Sequence, residues 1–159
     1  MTPTYDAVAS SLAAAIAAAP DRRTAMVQAV AALKASFPHY TWVGIYLIEG
    51  RELVLGPYLG RPSPHTRIPL DRGICGAAAS AKATIIVDDV NSDPRYLACS
   101  LDTRSEIVVP IMRGDVVLGE IDIDSDRPAA FTTADRALLE DVAAALADRM
   151  HPESKEQSP

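Results

Sequence analysis

The chain has 159 residues and a mass of 16.9 kDa, the size of a single domain. Apolar residues make up 48% of it and charged residues 23%, a balance that excludes an intrinsically disordered chain. Fifteen basic and twenty-one acidic residues give a net charge of −6, which argues against binding to nucleic-acid backbones or to anionic membranes.

The N-terminus and the cysteine content indicate the cell compartment. Residues 1–5 lack the basic segment of a secretory signal, and the longest apolar stretch, residues 12–20, is far too short to cross a bilayer. Two cysteines, Cys75 and Cys99, do not make the dense disulfide framework of small secreted proteins. We therefore predict a cytoplasmic protein.

Two runs near the N-terminus repeat apolar residues at helical spacing, and each stops at a proline, Pro20 and Pro38. The repeated positions are Tyr5, Val8, Leu12 and Ile16 in the first run and Met26, Val30, Leu33 and Phe37 in the second. This period predicts two N-terminal helices within residues 1–37.

The middle of the chain predicts strands and loops. Residues 41–48 are rich in β-branched and aromatic side chains and pair across Glu49-Gly50 with residues 52–58 as a hairpin. Four prolines make residues 57–69 mostly loop. A short helix from Gly73, a short strand over residues 84–87 and a polar segment over residues 88–104 complete this part.

A second hairpin and a final helix complete the domain. The hairpin joins residues 106–112 and 116–124, and the helix begins near Thr132, with Asp135 at the spacing of a capping box. Its apolar face holds Leu138, Val142, Leu146 and Met150. We predict one α+β domain over residues 1–150, comprising N-terminal helices (1–37), sheet and pocket loops (41–124) and a C-terminal helix (131–150), then a flexible tail over residues 151–159.

Two predicted strands carry carboxylates where chemistry could occur. Asp122 and Asp124 share one strand face and stand about 7 Å apart by strand rise, with Val116, Leu118 and Glu120 on the same face. A solvated outer face is the simpler interpretation for an arbitrary strand. Glu106 begins an apolar strand, either as a solvent-facing end or as a buried carboxyl with a raised pKa.

Aromatic rings and thiols form the other candidate groups. Trp42, Gly44 and Tyr46 share a face on which glycine leaves a notch for a small ligand, although core packing is the simpler interpretation. Cys75 lies where a helix begins, which favours a thiolate, and Cys99 lies in a polar loop. The two cysteines are about equally well explained as inert core residues and as reactive thiols.

Six segments of the chain carry a resemblance to a known family. They are Thr41-Trp-Val-Gly-Ile-Tyr-Leu, Leu53-Val-Leu-Gly-Pro-Tyr, Arg67-Ile-Pro-Leu-Asp-Arg-Gly-Ile-Cys-Gly, Leu97-Ala-Cys, Ser105-Glu-Ile-Val-Val-Pro and Gly119-Glu-Ile-Asp-Ile-Asp-Ser. In this order and spacing they resemble the free methionine-(R)-sulfoxide reductases, which are small stand-alone GAF-domain enzymes. The resemblance implies a GAF-like fold with a central antiparallel sheet of five or six strands and the terminal helices packed on one face.

The resemblance also implies roles for individual residues. Cys99 corresponds to the nucleophile and Cys75 to a second redox cysteine. The substrate-binding and proton-donating carboxylates correspond to Glu106, Asp122 and Asp124, and the aromatic pocket walls to Trp42 and Tyr46. The family pattern has a third cysteine, a resolving thiol, just before the Arg-Ile-Pro triplet, where this chain has His65.

The implied reaction is the reduction of free methionine-(R)-sulfoxide. A thiolate attacks the sulfoxide sulfur while an acid protonates the oxygen, and the resulting sulfenic acid condenses with a second thiol. The remaining carboxylates would bind the ammonium group of a free amino acid. An external dithiol such as thioredoxin would recycle the enzyme, with no metal and no other cofactor.

A non-catalytic GAF-type sensor that binds a small ligand in the same pocket is the alternative from another class. The histidine at position 65 favours the sensor, whereas two retained cysteines and three carboxylates favour the enzyme. In either case the alanine-rich terminal helices predict a homodimer formed across a two-fold axis.

Overall fold

The structure, a computed structural model, describes residues 4–98 and 100–150, which form four α-helices and six β-strands. The helices are α1 (Tyr5–Ala18), α2 (Arg22–Ser36), α3 (Gly73–Ala81) and α4 (Thr133–Ala147). The strands are β1 (Trp42–Glu49), β2 (Glu52–Leu59), β3 (Arg67–Pro69), β4 (Ile85–Val87), β5 (Ser105–Arg113) and β6 (Val116–Ser125). The predicted tail over residues 151–159 and the nucleophile candidate Cys99 lie outside the described residues.

The six strands form one antiparallel sheet in the order β3-β2-β1-β6-β5-β4. The two predicted hairpins, β1–β2 and β5–β6, meet where β1 pairs with β6, so the chain's two halves join at the centre of the sheet. The sequence analysis missed β3, a three-residue strand inside the proline-rich segment. Only pairing with β2 defines it, because its own residues carry too little periodicity.

The main hydrophobic core lies between one face of the sheet and helices α1, α2 and α4. Val43 and Ile45 of β1 and Ile121 and Ile123 of β6 face this layer and are almost fully buried. Burial of side chains this large stabilises a fold by about 1.5–3 kcal/mol each relative to exposure. The predicted α+β class with the terminal helices on one face is confirmed.

A β-bulge corrects one detail of the predicted strand faces. The β5–β6 register shifts between Ile111 and Met112, so Leu118 packs against the helix-side core rather than sharing the face of Glu120 and Asp122. Strict alternation holds only within an uninterrupted register, and the sequence carries no mark of the shift.

Side chains cap the N-termini of three helices. Thr4 and Asp21 cap α1 and α2 by accepting hydrogen bonds from the Ala7 and Thr24 amides. Thr132 and Asp135 form the predicted capping box of α4. No helix of the described chain is long and apolar enough to span a membrane.

Candidate active site

The second face of the sheet gathers the polar residues singled out in the sequence. The β1–β6 register sets Trp42 opposite Asp124, Gly44 opposite Asp122 and Tyr46 opposite Glu120. On the other side of β6, Glu106 of β5 lies opposite Asp124. All four carboxylic residues are buried, with at most 5% exposure, so the interpretation as a solvated outer face is wrong.

Helix α3 covers this polar face and brings Cys75 to it. A side chain at Gly76 would lie 2.8 Å from the Leu70 carbonyl oxygen, so glycine allows the helix to pack closely against the preceding loop. Cys75 is 5% exposed, and its Sγ–H donates a hydrogen bond to Asp122 Oδ2 at 3.5 Å. The thiol and the aspartate are therefore in direct contact, although 47 residues separate them.

These groups border a small, partly open cavity. Its volume is about 20 Å³, room for one water molecule. The described residues that line it are Tyr46, His65, Ile68, Gly73, Ile74, Cys75, Leu97, Glu106 and Asp122. One atom each from Cys75, Glu106 and Asp122 lies within 4.8 Å of the others, a spacing that suits a small cation, whether an ammonium group or a metal ion.

Leu97 separates this cavity from a wider groove. The groove has a volume of about 460 Å³ and runs along α3 beside Arg72 and Arg95. Leu97 and Gly73 line both spaces. Gly73 has a φ of +72°, and a side chain there would lie 3.0 Å from Leu97 Cδ1, so glycine provides both the backbone conformation and the room for Leu97.

Burial dominates the acid–base properties of the carboxyl groups. It raises the pKa of Asp122, and hydrogen bonding with Glu106 and Cys75 offsets part of the rise. Burial followed by repulsion from Asp122 raises the pKa of Asp124 and of Glu120 well above ordinary values. Carboxyl groups this close cannot all ionise readily without water or a cation, so burial and mutual repulsion favour the protonated forms within the cluster.

The setting of Cys75 differs from the sequence prediction. Cys75 is the third residue of α3, where a helix N-terminus favours a thiolate. Burial has the opposite and larger effect, and the charges of Asp122 and Glu120 add to it, so the pKa of the Cys75 thiol is raised well above its ordinary value. Cys75 is therefore a protonated thiol at neutral pH.

The notch predicted at Gly44 is filled. The ring of Trp42 lies across it, since a side chain at Gly44 would come within 2.3 Å of Trp42 Cη2. The Trp42 ring stacks on Tyr58 at a centroid distance of 5.5 Å and donates a hydrogen bond from Nε1 to the Arg61 carbonyl. Trp42 and Asp124 lie on the pocket face but do not line the cavity, whereas Tyr46 does.

His65 links the cavity to the loop that carries Cys99. Tyr46 donates a hydrogen bond to the His65 carbonyl at 2.7 Å, and His65 Nε2 lies 3.0 Å from the Ala98 carbonyl. Because a carbonyl only accepts, His65 is the donor in this contact. Thus the structure brings together Tyr46, Cys75, Glu106 and Asp122 around the cavity, with His65 at the loop.

Glu120 is a member of the site that the sequence analysis did not select. It was noted on the strand face, and its buried surroundings become visible only once α3 covers that face. Its side chain is fully buried, and neither carboxylate oxygen has a hydrogen-bond partner among the described residues.

Comparisons with known proteins match this chain to one domain family and to named reductases. The GAF domain family model matches residues 21–150. The free methionine-R-sulfoxide reductase of Saccharomyces cerevisiae is 43% identical over 106 residues, which are 64% of this chain and 58% of that protein.

Two solved structures resemble the whole fold. The type II free methionine-R-sulfoxide reductase of Thermoplasma acidophilum has a TM-score of 0.79 and 41% identity over 82% of this chain and 92% of its own. The free methionine-R-sulfoxide reductase of Neisseria meningitidis, solved in complex with its substrate, has a TM-score of 0.89 and 33% identity over 100% of both chains.

Proposed function

The chain belongs to the GAF-domain family of free methionine-R-sulfoxide reductases, and from this premise we propose that it reduces free methionine-(R)-sulfoxide at the cavity between α3 and the sheet. The observation that carries the proposal is the convergence of the Cys75 thiol with the carboxyl groups of Glu106 and Asp122. A redox-capable sulfur and acidic groups beside one cavity are what sulfoxide reduction requires.

The charge of the cavity supports a free amino acid as the substrate. Its described lining contains two carboxyl groups and neither lysine nor arginine. An ammonium group would neutralise these buried carboxylates, whereas a methionine inside a peptide has no such group. We assign ammonium binding to Asp122 and Asp124, and contact with the thioether to Tyr46 and Trp42.

We assign the first chemical step to Cys99. Its thiolate attacks the sulfoxide sulfur and forms a transient S–S bond while Glu106 protonates the oxygen. The hydroxyl group then passes to the Cys99 sulfur as the methionine S–O bond and the transient S–S bond break. Methionine leaves with its sulfur reduced by two electrons, and Cys99 becomes a sulfenic acid with its sulfur oxidised by two. The contacts of Leu97 and Ala98 support this assignment, because these two residues precede Cys99 and touch the cavity and His65 respectively.

We assign the second step to Cys75. A buried thiol among carboxylates is a poor initial nucleophile, because the thiolate is the attacking form. It is suited to resolution, in which it attacks the Cys99 sulfenic acid, forms the disulfide and releases water. With His65 at the third family position, Cys75 is the internal thiol left for this role.

The segment containing Leu97 must move before a substrate can bind. A cavity of about 20 Å³ holds one water and not an amino acid. The wider groove of about 460 Å³ lies directly behind Leu97, so displacement of this side chain joins the two spaces. Such opening would also give Cys99 and Cys75 the freedom to reach disulfide distance, about 4.4–6.8 Å between Cα atoms.

The reaction cycle implies a reducing partner and a compartment. An external dithiol such as thioredoxin would reduce the disulfide back to two thiols, and the cytoplasm maintains such dithiols in reduced form. We therefore propose a cytoplasmic enzyme that needs neither metal nor organic cofactor and acts as a homodimer.

A turnover assay tests the function. The parent protein with a dithiol should release methionine from the R epimer of free methionine sulfoxide, but not from the S epimer or from N-acetylmethionine sulfoxide. Cys99→Ser should abolish turnover, whereas Cys75→Ser should release one methionine per chain and stop as a sulfenic acid. Ser100→Ala, beside the nucleophile, should behave as the parent does.

Two outcomes would contradict the proposal. If Cys99→Ser keeps full activity and Cys75→Ser releases no methionine, the two cysteine roles are reversed. If the parent binds the substrate by calorimetry and never converts it, the protein is a sensor of the GAF type.

A further inference from the structure

The cavity beside α3 is bordered by donor atoms of the kinds that bind metal ions. Cys75 of α3 offers a sulfur, and Glu106 of β5 and Asp122 of β6 each offer a carboxylate oxygen, all within 4.8 Å of one another. The three side chains are buried, and the described lining of the cavity contains neither lysine nor arginine. Acidic groups buried this closely lose their hydration without gaining a counterion, so a bound cation stabilises them.

The thiol and the aspartate already stand at the spacing of two zinc ligands. Cys75 Sγ lies 3.5 Å from Asp122 Oδ2. At a tetrahedral zinc ion with a Zn–S bond of about 2.3 Å and a Zn–O bond of about 2.0 Å, a sulfur and an oxygen ligand are about 3.5 Å apart. Glu106 offers its oxygen within 4.8 Å of the other donors, so rotation of this one side chain completes three ligand positions.

An unpartnered oxygen of Asp122 independently points to a cation. Asp122 is 3% exposed and lines the cavity, and its Oδ1 has no hydrogen-bond partner among the described residues. Asp124 Oδ1 and both carboxylate oxygens of Glu120, on the same face of β6, also lack hydrogen-bond partners in the described chain. Buried acceptors without donors cost free energy, and a divalent cation supplies a local charge large enough to offset that cost.

The cavity volume and the donor types favour zinc over magnesium and calcium. A volume of about 20 Å³ holds a single ion or a single water molecule. Magnesium and calcium prefer shells made of oxygen ligands alone, whereas zinc binds thiolate and carboxylate ligands together in tetrahedral sites. Three protein donors leave the fourth position of the ion to water, which reaches it from the open side of the cavity.

We propose that Cys75, Glu106 and Asp122 form an inhibitory zinc site. A Zn–S bond replaces the S–H bond of Cys75, the thiol proton goes to water, and no atom changes its oxidation state. The ion then holds both the sulfur that resolves the sulfenic acid and the aspartate that binds the ammonium group, so zinc and substrate exclude each other. The inhibitory effect, though not the binding of zinc, rests on the proposed function.

Cobalt and zinc binding to the reduced, chelator-treated full-length protein tests the site directly. In Cys99→Ser, Cys75 is the only cysteine of the chain, so a thiolate-to-cobalt charge-transfer band reports this sulfur alone. The band should saturate at one cobalt ion per chain and disappear when zinc is added. Magnesium at the same concentration should leave the band unchanged.

Variants of the three ligands locate the ion. Cys75→Ser, Asp122→Asn and Glu106→Gln should each weaken zinc binding at least tenfold by calorimetry, because even partners outside the ligand shell change metal affinity by about 10- to 100-fold. Glu106→Asp keeps a carboxylate and should recover part of the affinity. Asp115→Asn, in an exposed turn of the β5–β6 hairpin, should bind zinc as the parent does. Thermal unfolding establishes that each variant compared is folded.

Single-turnover methionine release tests the inhibition, and it is measured without added dithiol because a dithiol itself binds zinc. One equivalent of zinc per chain should stop release by the pre-reduced parent, and a chelator should restore it. Cys75→Ser should still release its one methionine at the same zinc concentration.

Each remaining outcome decides one part of the proposal. If Cys99→Ser shows no cobalt band, if magnesium removes the band, or if Cys75→Ser binds zinc as tightly as the parent, the site is wrong. If zinc binds at Cys75 but leaves release by the parent unchanged, or stops Cys75→Ser equally, the inhibitory role is refuted. A protein that binds zinc at Cys75 and never releases methionine keeps the site and refutes the proposed function.

Discussion

At the scale of single residues, the site is a set of buried carboxyl groups that lie close together and are shielded from water. Asp122 and Asp124 each retain one oxygen without a hydrogen-bond partner among the described residues. Unpartnered acceptors of this kind destabilise the empty site and become favourable when a donor such as an ammonium group arrives. Ligand binding and fold stability therefore make opposite demands on these positions.

Asp124→Asn tests this opposition. We expect the variant to bind free methionine sulfoxide about 10- to 100-fold more weakly, the loss of one charge-assisted hydrogen bond. We expect its thermal unfolding to change little, because the native carboxyl is buried and repelled by Asp122. Isothermal titration calorimetry and calorimetric unfolding measure the two quantities, with Asp115→Asn as the exposed control on the same hairpin. Unchanged affinity would remove Asp124 from the binding site.

Glu120→Gln should increase stability at neutral pH. The pKa of Glu120 in the folded protein is raised well above 4.5, mainly by burial, so the folded state keeps a proton that the unfolded state loses. The stabilisation from this group is complete below the unfolded pKa and is lost as pH rises through the folded pKa. The variant has no such loss.

Urea unfolding across a pH series measures this effect. Variant and parent should have equal free energies of unfolding at about pH 4, and the variant should gain about 1.4 kcal/mol for each pH unit between the unfolded and folded pKa values. A constant difference at all pH values would show that Glu120 ionises normally in the folded protein.

At the scale of secondary-structure elements, Asp135 joins three parts of the helical layer. Its side chain accepts hydrogen bonds from Tyr5 of α1 at 3.0 Å, from Tyr40 at 2.7 Å and from His39 at 2.9 Å. The amide and hydroxyl of Thr132 donate to its other oxygen. Burial alone would raise the pKa of Asp135, but the bonds from Thr132, Tyr40 and His39 outweigh it and lower the pKa.

Asp135→Asn should lower the free energy of unfolding by about 2–4 kcal/mol, because it removes a buried, negatively charged hydrogen-bond acceptor and half of the α4 capping box.

The parent should also lose the stabilisation from Asp135 when the pH is lowered. A lowered folded pKa gives stability that is present above the ordinary value of 3.8 and is lost as pH falls through the folded pKa. Guanidinium unfolding at several pH values measures both effects. Asp141→Asn, exposed on the same helix, should stay within about 0.5 kcal/mol of the parent.

At the scale of the whole molecule, α1 leaves small apolar side chains on the surface. Ala13, Ala14, Ala17 and Ala18 are exposed, opposite the buried face of Leu12 and Ile16. A stripe of small residues allows two helices to approach closely, and a two-fold axis would bury the stripe against itself.

Light scattering at micromolar concentration tests the predicted homodimer. The parent should have twice the mass of the chain, and Ala14→Glu should shift the equilibrium to monomer by placing two carboxylates at the axis. Ala83→Glu, on an exposed residue beyond α3, should leave the mass unchanged. A monomeric parent would contradict the prediction.

The sequence by itself determined the main helices and strands and most of the grouping of residues on the strand faces. Helical spacing located α1, α2 and α4, and the alternation in β6 separated Ile121 and Ile123 from Asp122 and Asp124. These predictions succeeded because helix and strand periods are properties of consecutive residues. Strand alternation and local setting also singled out the candidate site residues, and the family resemblance gave them roles. Of these residues, Tyr46, Cys75, Glu106 and Asp122 line the cavity.

Only the tertiary structure decided what surrounds each residue. Alternation shows which side chains share a face, but packing of α3 on that face buries Glu120 and turns Cys75 into a protonated thiol. Likewise the Trp42 ring fills the space left by Gly44, and Leu97 forms part of the cavity wall. Burial and contacts between residues far apart in the sequence set these properties, and no local pattern in the sequence encodes them.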